Sequence, residues 1–343
     1  MTKSILVLKL GSASITTNSE IDEAIIADIT RQVAKLAENY HIILVSSGAV
    51  AAGKKYLKNY KGKMTERKAA AAIGNPLLLG TYSRYFQPYG ISIAQSLCER
   101  QHFSNRTQFL QLKETYEELW KNNVIPIANE NDVVSNLELK FSDNDELATL
   151  LGVGFGASLI LLGTSVPGVL DKKGEVVDRI DLINSDVFSL ATKNTSEVGL
   201  GGMTSKLTFA NLATSMGIKV VIFGVRTEDG ILKAVTEQTG TVCEPKVCSI
   251  PARNKWLASG SLVTGRLTVD DGACKAIRDR KSLLAVGVRS IQNPFNAAEI
   301  FEIIDQKGSI VAVAKSKVFS AAITQNSKQH NLEVANASDI VIL

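Results

Sequence analysis

Histidine is nearly missing from this chain: three in 343 residues, at positions 41, 102 and 330. They are scattered, and no Ser/His/Asp arrangement or imidazole metal cluster is apparent around them. His41 falls at a strand start, His102 in a loop and His330 in a polar tail, so each reads as structural or surface. Cysteine is scarce as well. Cys98, Cys243, Cys248 and Cys274 form no C-x-x-C pair and have no nearby histidine, which argues against a zinc site and for reduced thiols of a cytoplasmic protein. There are no repeats and no low-complexity tracts. No apolar run reaches the roughly 18 residues of a membrane span. The N-terminal run SILVLKL is short and lacks a small-residue cleavage pattern, so it reads as a strand rather than a signal peptide. Charge of one sign is also in short supply, the net being +4. From Lys246 onward 13 Lys and Arg stand against 8 Asp and Glu, a mild basicity compatible with nucleic-acid contact and insufficient to establish it.

What is present is ordinary globular material, 45% apolar and 21% charged, in a chain longer than one comfortable core, which predicts two domains. Ser4–Leu10 is an apolar strand interrupted only by Lys9. A helical repeat follows over 22–39 (Ile25, Ile26, Ile29, Val33, Leu36), then a second strand over 41–49. This βαβ opening predicts an α/β fold with an open, mostly parallel sheet sandwiched by helices. Further on come a helical stretch over 67–86 broken at Gly74-Asn75-Pro76, a strand over 90–97, a helix over 105–122, a strand at 158–163, and a helix over 207–216 stopped by Gly217 before the strand KVVIFG. Around 239–251 the pattern changes to short β-like runs. The boundary is placed near Pro245, giving domains 1–244 and 245–343, the second small and mostly β with one helix near 273–279.

Chemistry-bearing residues gather at five places. The apolar run Val124–Ala128 stops at Asn129-Glu130-Asn131-Asp132, where an open α/β sheet binds ligands, beyond the carboxyl ends of its strands. Ser142-Asp143-Asn144-Asp145 opens a helical segment; Ser142 as N-cap with Asp145 as its capping-box partner accounts for that cluster without any chemistry. Lys9, in a strand buried on both faces, either carries its head to solvent at the strand end or points at an anion. Ser46-Ser47-Gly48-Ala49 is a small hydroxyl-bearing turn. Finally, Gly199-Leu200-Gly201-Gly202-Met203-Thr204-Ser205-Lys206 runs into a helix. It matches neither G-x-x-x-x-G-K-[ST] nor G-x-G-x-x-G. Yet glycines that let backbone N–H groups approach, a helix N-terminus and a lysine suit a phosphate, as well as a plain solvated turn.

Two lysines, a phosphate-cradling turn, an acidic hub and no general-base histidine suggest phosphoryl transfer from a nucleotide, in which the protein mostly positions groups and stabilises charge. A carboxylate acceptor is already a nucleophile at pH 7 and needs no base. Asp145 would hold both lysine heads, and Ser47, Asp132 and Asn144 would bind the acceptor.

The segments Lys9-Leu10-Gly11-Ser12, Ser46–Ala49, Asn129–Asp132, Asp143-Asn144-Asp145 and Gly201–Lys206, in this order and spacing, resemble the amino-acid kinase family. Within it, the asparagine-rich Asn129–Asp132 segment resembles the glutamate 5-kinase branch. Val269–Ala273, Lys281–Leu284 and Gly287-Val288 resemble the C-terminal PUA domain of that branch. The resemblance implies ATP-dependent phosphorylation of the γ-carboxylate of L-glutamate to L-glutamyl 5-phosphate, the first step of proline biosynthesis. It implies catalytic Lys9, Lys206 and Asp145, and glutamate bound by Ser47, Asp132 and Asn144. ATP would lie against Lys9, Gly11, Thr164, Ser165, Leu200, Gly201, Gly202, Met203, Thr204, Ser205 and Lys206, accompanied by Mg²⁺, for which no protein ligand set is visible. Proline as feedback inhibitor, a homo-oligomer (dimer or tetramer) and glutamyl phosphate reductase downstream are implied too. Departures concentrate on the ATP side: Ser165 where the family has Asp, Leu200 where it has Thr, and a shortened segment after Gly168. Asn75 stands where the family has Gln. In the PUA part Ala297-Ala298 replaces Arg-Gly, and Val318–Ala321 also departs, which weakens the case for RNA. The alternatives are a non-catalytic RNA-binding or regulatory protein acting through the PUA domain, and a related kinase with another acid acceptor.

Overall fold

A computed structural model describes residues 3–18, 20–104, 106–134, 143–191, 202–247, 263–295, 297, 299–325 and 332–342. The chain divides into two compact units, one comprising Met1–Glu99 and Gln111–Cys248, the other Arg100–Leu110 and Ser249–Leu343.

In the first unit β1 (Ser4–Leu10) is followed by α1 (Glu23–Ala37) and β2 (Tyr40–Ser46). Asp22 caps α1, its carboxylate accepting the Ile25 N–H, as an Asp just before an apolar-periodic segment should. Next come α2 (Ala49–Gly53), α3 (Met64–Phe86), β3 (Ser92–Cys98), α4 (Arg106–Lys121, in this unit from Gln111 on) and β4 (Val124–Glu130). The unit closes with α5 (Asn144–Phe155), β5 (Leu159–Thr164), β6 (Arg179–Ile180), α6 (Met203–Ser215), β7 (Lys219–Gly224) and β8 (Thr241–Cys243). The eight strands lie in the order β3-β4-β2-β1-β5-β7-β8-β6. The first six are mutually parallel, and β8 turns antiparallel to β7. After β1 the chain builds one half of the sheet through β2, β3 and β4, then returns to the other side of β1 with β5. The β1/β5 seam is therefore the switch point, where a crevice opens at the carboxyl ends.

Period-two alternation in β1 sorts its side chains between two layers. Leu6, Leu8 and Leu10 join the core formed with Ile26, Ile29 and Val33 of α1 and with Leu78, Tyr82 and Phe86 of α3. Val7 and Lys9 face the other way. A Cβ on Gly152 of α5 would lie 3.7 Å from Val7 Cγ2 and 2.5 Å from Ile160 Cδ1. Only the bare glycine lets α5 close on the sheet at this height.

The stretch 67–86 is not broken at Gly74-Asn75-Pro76: α3 runs continuously from Met64 to Phe86 with Pro76 inside. Packing overrides the local cost. Gly53 of α2 and Gly74 of α3 meet backbone to backbone, a Cβ on Gly74 falling 1.7 Å from the Ala49 carbonyl oxygen. His102 lies in a short helix, Arg100–Ser104, rather than a loop. His41 stacks on Trp120, ring centroids 4.8 Å apart, and burial pushes its pKa down. His330 and Cys248 lie outside the described residues; Cys98, Cys243 and Cys274 are buried free thiols.

In the second unit β9 (Val263–Val269), α7 (Asp271–Arg278), β10 (Val288–Asn293), β11 (Ile300–Ile304), β12 (Ile310–Lys315) and β13 (Ile340–Ile342) form a small sheet in the order β10-β9-β11-β12-β13. The β9/β11 pair is parallel and the other pairs antiparallel. Leu267, Ile277, Phe295, Phe301, Ile303 and Ile323 share its core. Among the described residues no helix is long and apolar enough to cross a membrane.

Gly74→Ala is expected to lower stability by at least about 1–3 kcal/mol through overpacking against α2. Gly80→Ala in the same helix, where an added Cβ meets nothing within 4 Å, should stabilise by about 0.5–1 kcal/mol. Urea unfolding midpoints of the two variants check the contrast.

Candidate active site

At the carboxyl end of β1, Lys9 Nζ lies 2.6 Å from Asp145 Oδ1, and Lys206 Nζ donates to Asp145 Oδ2 at 2.9 Å. The three side chains come from different elements: β1, the first turn of α5 and the first turn of α6. All are buried, with relative exposures of 4%, 0% and 5% for Lys9, Asp145 and Lys206. Of the two readings open for Lys9, the buried one holds. Burial pushes the Lys9 pKa below its ordinary value, with Lys206 adding to the effect and Asp145 opposing it. Burial also works against the Asp145 carboxylate, yet the two ammonium groups hold it below the usual range. Two ammonium groups gathered on one carboxylate suit an anionic ligand.

Asp145 is not the partner of a Ser142 cap. The N-cap of α5 is Asp143, whose Oδ1 accepts the N–H groups of Asp145 and Glu146 at 2.8 and 3.2 Å; Ser142 lies outside the described residues. A carboxylate cap satisfies two orphan donors and suits the helix dipole, which leaves the Asp145 side chain free for the lysines. Asp143 Oδ2 also accepts a short hydrogen bond from the Ser205 hydroxyl, tying α5 to α6. Burial, then the neighbouring charge of Asp145, raise the Asp143 pKa.

Beside this charged group sits an amide cluster. Asn144 Nδ2 donates to Ser47 Oγ and to Asn129 Oδ1, both at 2.8 Å. Asn129 Nδ2 in turn donates to Asn75 Oδ1 at 3.2 Å. Ser47 is held in the turn after β2, where Gly48 adopts φ +111, a left-handed conformation that favours glycine. Asp132 is half-buried in the turn two residues beyond β4.

On the other side of the lysines, helix α6 begins at Met203, earlier than its apolar period suggests, so Lys206 lies in its first turn. Gly202 at the N-cap offers no side-chain cap, and a Cβ there would meet nothing within 4 Å. Met203, Thr204 and Ser205 fill the first turn. Leu200 and Gly201 lie outside the described residues. Gly11 follows β1, its hypothetical Cβ 3.7 Å from Lys9 Nζ. Thr164 ends β5, its carbonyl accepting the Val225 N–H at 3.0 Å, and Ser165 follows in an exposed bend.

The structure thus brings together Lys9, Asp145 and Lys206, and separately Ser47 and Asn144. Asp143, Asn129 and Asn75 were not among the expected site residues. Asn129 carried a legible signal, a polar side chain closing an apolar strand. Asn75 carried none that periodicity could expose.

The amino acid kinase family profile matches residues 4–224, and a PUA domain matches 265–337. The chain is 35% identical over 312 residues to a glutamate 5-kinase of Thermotoga maritima, covering 89% of this chain and 86% of that protein. The chain belongs to the amino acid kinase family. Another similar protein is a glutamate 5-kinase of Kosmotoga olearia, 36% identical over 306 residues, covering 87% and 84%. The fold of this amino acid kinase is also that of a carbamate kinase from Giardia lamblia bound to AMP-PNP, at a TM-score of 0.52 and 17% identity, covering 71% of this chain and 99% of that one. Membership of the family implies use of ATP.

Removing the shared carboxylate with Asp145→Asn leaves two buried ammonium groups uncompensated and is expected to cost about 3–5 kcal/mol in chemical unfolding. The Asp143 carboxyl acts with the opposite sign. Its folded pKa is raised, so the folded chain holds a proton that the unfolded chain has lost. The group therefore costs stability above its folded pKa, and the cost vanishes as pH falls through the window above 3.8. Asp143→Asn keeps a good cap, so its stability relative to the parent should be highest at neutral pH and decline on acidification through that window, as read from unfolding curves at stepped pH.

Proposed function

We propose that this chain phosphorylates the γ-carboxylate of L-glutamate with ATP, giving L-glutamyl 5-phosphate and ADP as the first step of proline biosynthesis. The observation that carries this reading is the Lys9–Asp145–Lys206 group set next to the Ser47–Asn144 amide cluster, with Asn144 and Asp145 adjacent in sequence. One residue faces the transferring phosphoryl group and its neighbour faces the acceptor.

A γ-carboxylate oxygen of glutamate attacks the γ-phosphorus in line. The bond to the β–γ bridging oxygen breaks, and its electron pair leaves with ADP. No proton needs to be removed from the nucleophile. The ammonium groups of Lys9 and Lys206 stabilise the charge on the equatorial and leaving oxygens, preorganised by Asp145 at no reorganisation cost during the step. Ser47, Asp132 and Asn144 hold glutamate. The Gly11 turn, Thr164, Ser165 and the segment 200–206 receive ATP, the uncapped start of α6 offering backbone N–H groups to phosphate oxygens. Among the described residues no three His, Cys, Asp or Glu side chains cluster as a metal site. Mg²⁺ would accompany the nucleotide phosphates and would supply charge neutralisation there.

The family resemblance further supports proline as feedback inhibitor, a homo-oligomer, glutamyl phosphate reductase as consumer of the product, a cytoplasmic location, and domains divided at 244/245. A non-catalytic, RNA-binding reading leaves the buried triad without a purpose. A buried ion group is a poor source of stability compared with apolar packing of equal volume, so its full retention favours catalysis.

Trapping of the acyl phosphate with hydroxylamine, in the presence of ATP, Mg²⁺ and L-glutamate, tests the proposal. The parent should form the hydroxamate, and Lys206→Ala and Lys9→Ala should each lower kcat by about 10²–10³. A parent that makes no hydroxamate from glutamate would overturn it.

A further inference from the structure

One face of α3 reaches the acceptor side of the site at three levels. Asn75 accepts from Asn129. Three residues on, Leu78 packs at Gly48, where a Cβ would lie 3.9 Å from its Cδ2. Seven residues on, the Tyr82 hydroxyl is hydrogen-bonded to Ser46 Oγ at 2.9 Å. This i, i+3, i+7 spacing is one helical face. The Gly74–Ala49 backbone contact pins that face immediately beside Asn75.

Asn75 and Asn129 are each 6% exposed, and their bond continues a chain of amides with a defined direction. Asn144 spends both N–H groups, one on Ser47 Oγ and one on Asn129 Oδ1. Its own Oδ1 is buried with no hydrogen-bond partner among the described residues. That oxygen is left for a donor on the bound acceptor. The arrangement depends on Asn129 presenting its oxygen, not its NH₂, to Asn144. Asn129 does so because its NH₂ is taken up by the Asn75 oxygen. Rotating the Asn129 amide by half a turn would set donor against donor at Asn144 and oxygen against oxygen at Asn75.

We propose that Asn75 is a positioning residue for the acceptor: through Asn129 it fixes the amide orientation of Asn144 and so sets affinity for the amino-acid substrate without touching it. The inference rests on the acceptor reading given above. It makes the long helix α3 a determinant of acceptor binding and not of ATP binding.

Steady-state kinetics of the full chain test it with two substitutions. Asn75→Leu fills the volume and removes the accepting oxygen; Asn75→Gln keeps an amide on a longer arm. The Leu variant should raise the glutamate KM about tenfold, the effect of leaving a buried donor unpaired, with kcat and the ATP KM within about twofold of the parent. The Gln variant should remain within about threefold of the parent for glutamate. In an Asn144→Ala background the Leu substitution should add almost nothing, because its path runs through Asn144. Thermal melts separate these effects from unfolding, and Asn75→Ser replaces the Leu variant if that variant does not fold. An unchanged glutamate KM, a parallel rise in the ATP KM, or full additivity with Asn144→Ala in an active enzyme overturns the relay alone. A parent that makes no hydroxamate from glutamate overturns the acceptor reading and the relay with it.

Discussion

Burying two ammonium groups around a single carboxylate is the constraint on which the rest of this kinase unit depends. Desolvation opposes all three charges, and only close geometry offsets it. The fold supplies that geometry from three directions at once. β1 delivers Lys9 at the switch point of the sheet. The side-chain cap that Asp143 provides frees Asp145 to turn inward. The start of α6 delivers Lys206, linked to the same cap through Ser205. Gly152 then allows α5 to lie close enough on β1 and β5 for the distances to close. A site assembled this way is charged before any ligand arrives.

The acceptor side is built on a different principle. Its amides and hydroxyls stand beside the Asp132 carboxylate, and their precision comes from hydrogen-bond direction. Asn144, Ser47, Asn129 and Asn75 come from four segments of the chain, and one donor and acceptor pattern runs through their side chains. The two halves share one short element, the first turn of α5, where Asn144 serves one and Asp145 the other. Adjacent helical positions diverge by about 100°, so these neighbouring side chains turn to different partners without competing.

Much of this was legible in the sequence. The interrupted apolar period of β1 marked Lys9, and the strand–helix alternation gave the parallel sheet and the place of its crevice. The motif order singled out the lysines and Asp145, which the structure brings together, and Ser47 and Asn144, which it joins by a hydrogen bond. What escaped was whatever depends on contacts between distant segments. Gly74-Asn75-Pro76 looks like a helix break because local cost points that way, and only the backbone contact with α2 shows why the helix continues. Ser142 looks like the cap because Asp143 is an equally good cap one residue on, and position alone does not separate them. Asn75 looks like any surface amide until α3 is seen to turn it toward Asn129. Local propensity and periodicity describe single elements; these residues answer to their neighbours in space.

The alternation along β1 has a further consequence. Odd and even positions of one seven-residue strand carry separate messages: Leu6, Leu8 and Leu10 write the hydrophobic core, while Lys9 writes the chemistry on the opposite side of the sheet. The two are locked in parity. A single-residue insertion or deletion upstream of Lys9 within the strand would put an ammonium group among leucines and a leucine against Asp145 in the same stroke. Stability and catalysis cannot be lost separately by that route, so selection for a folded chain also guards the reading frame of its charge.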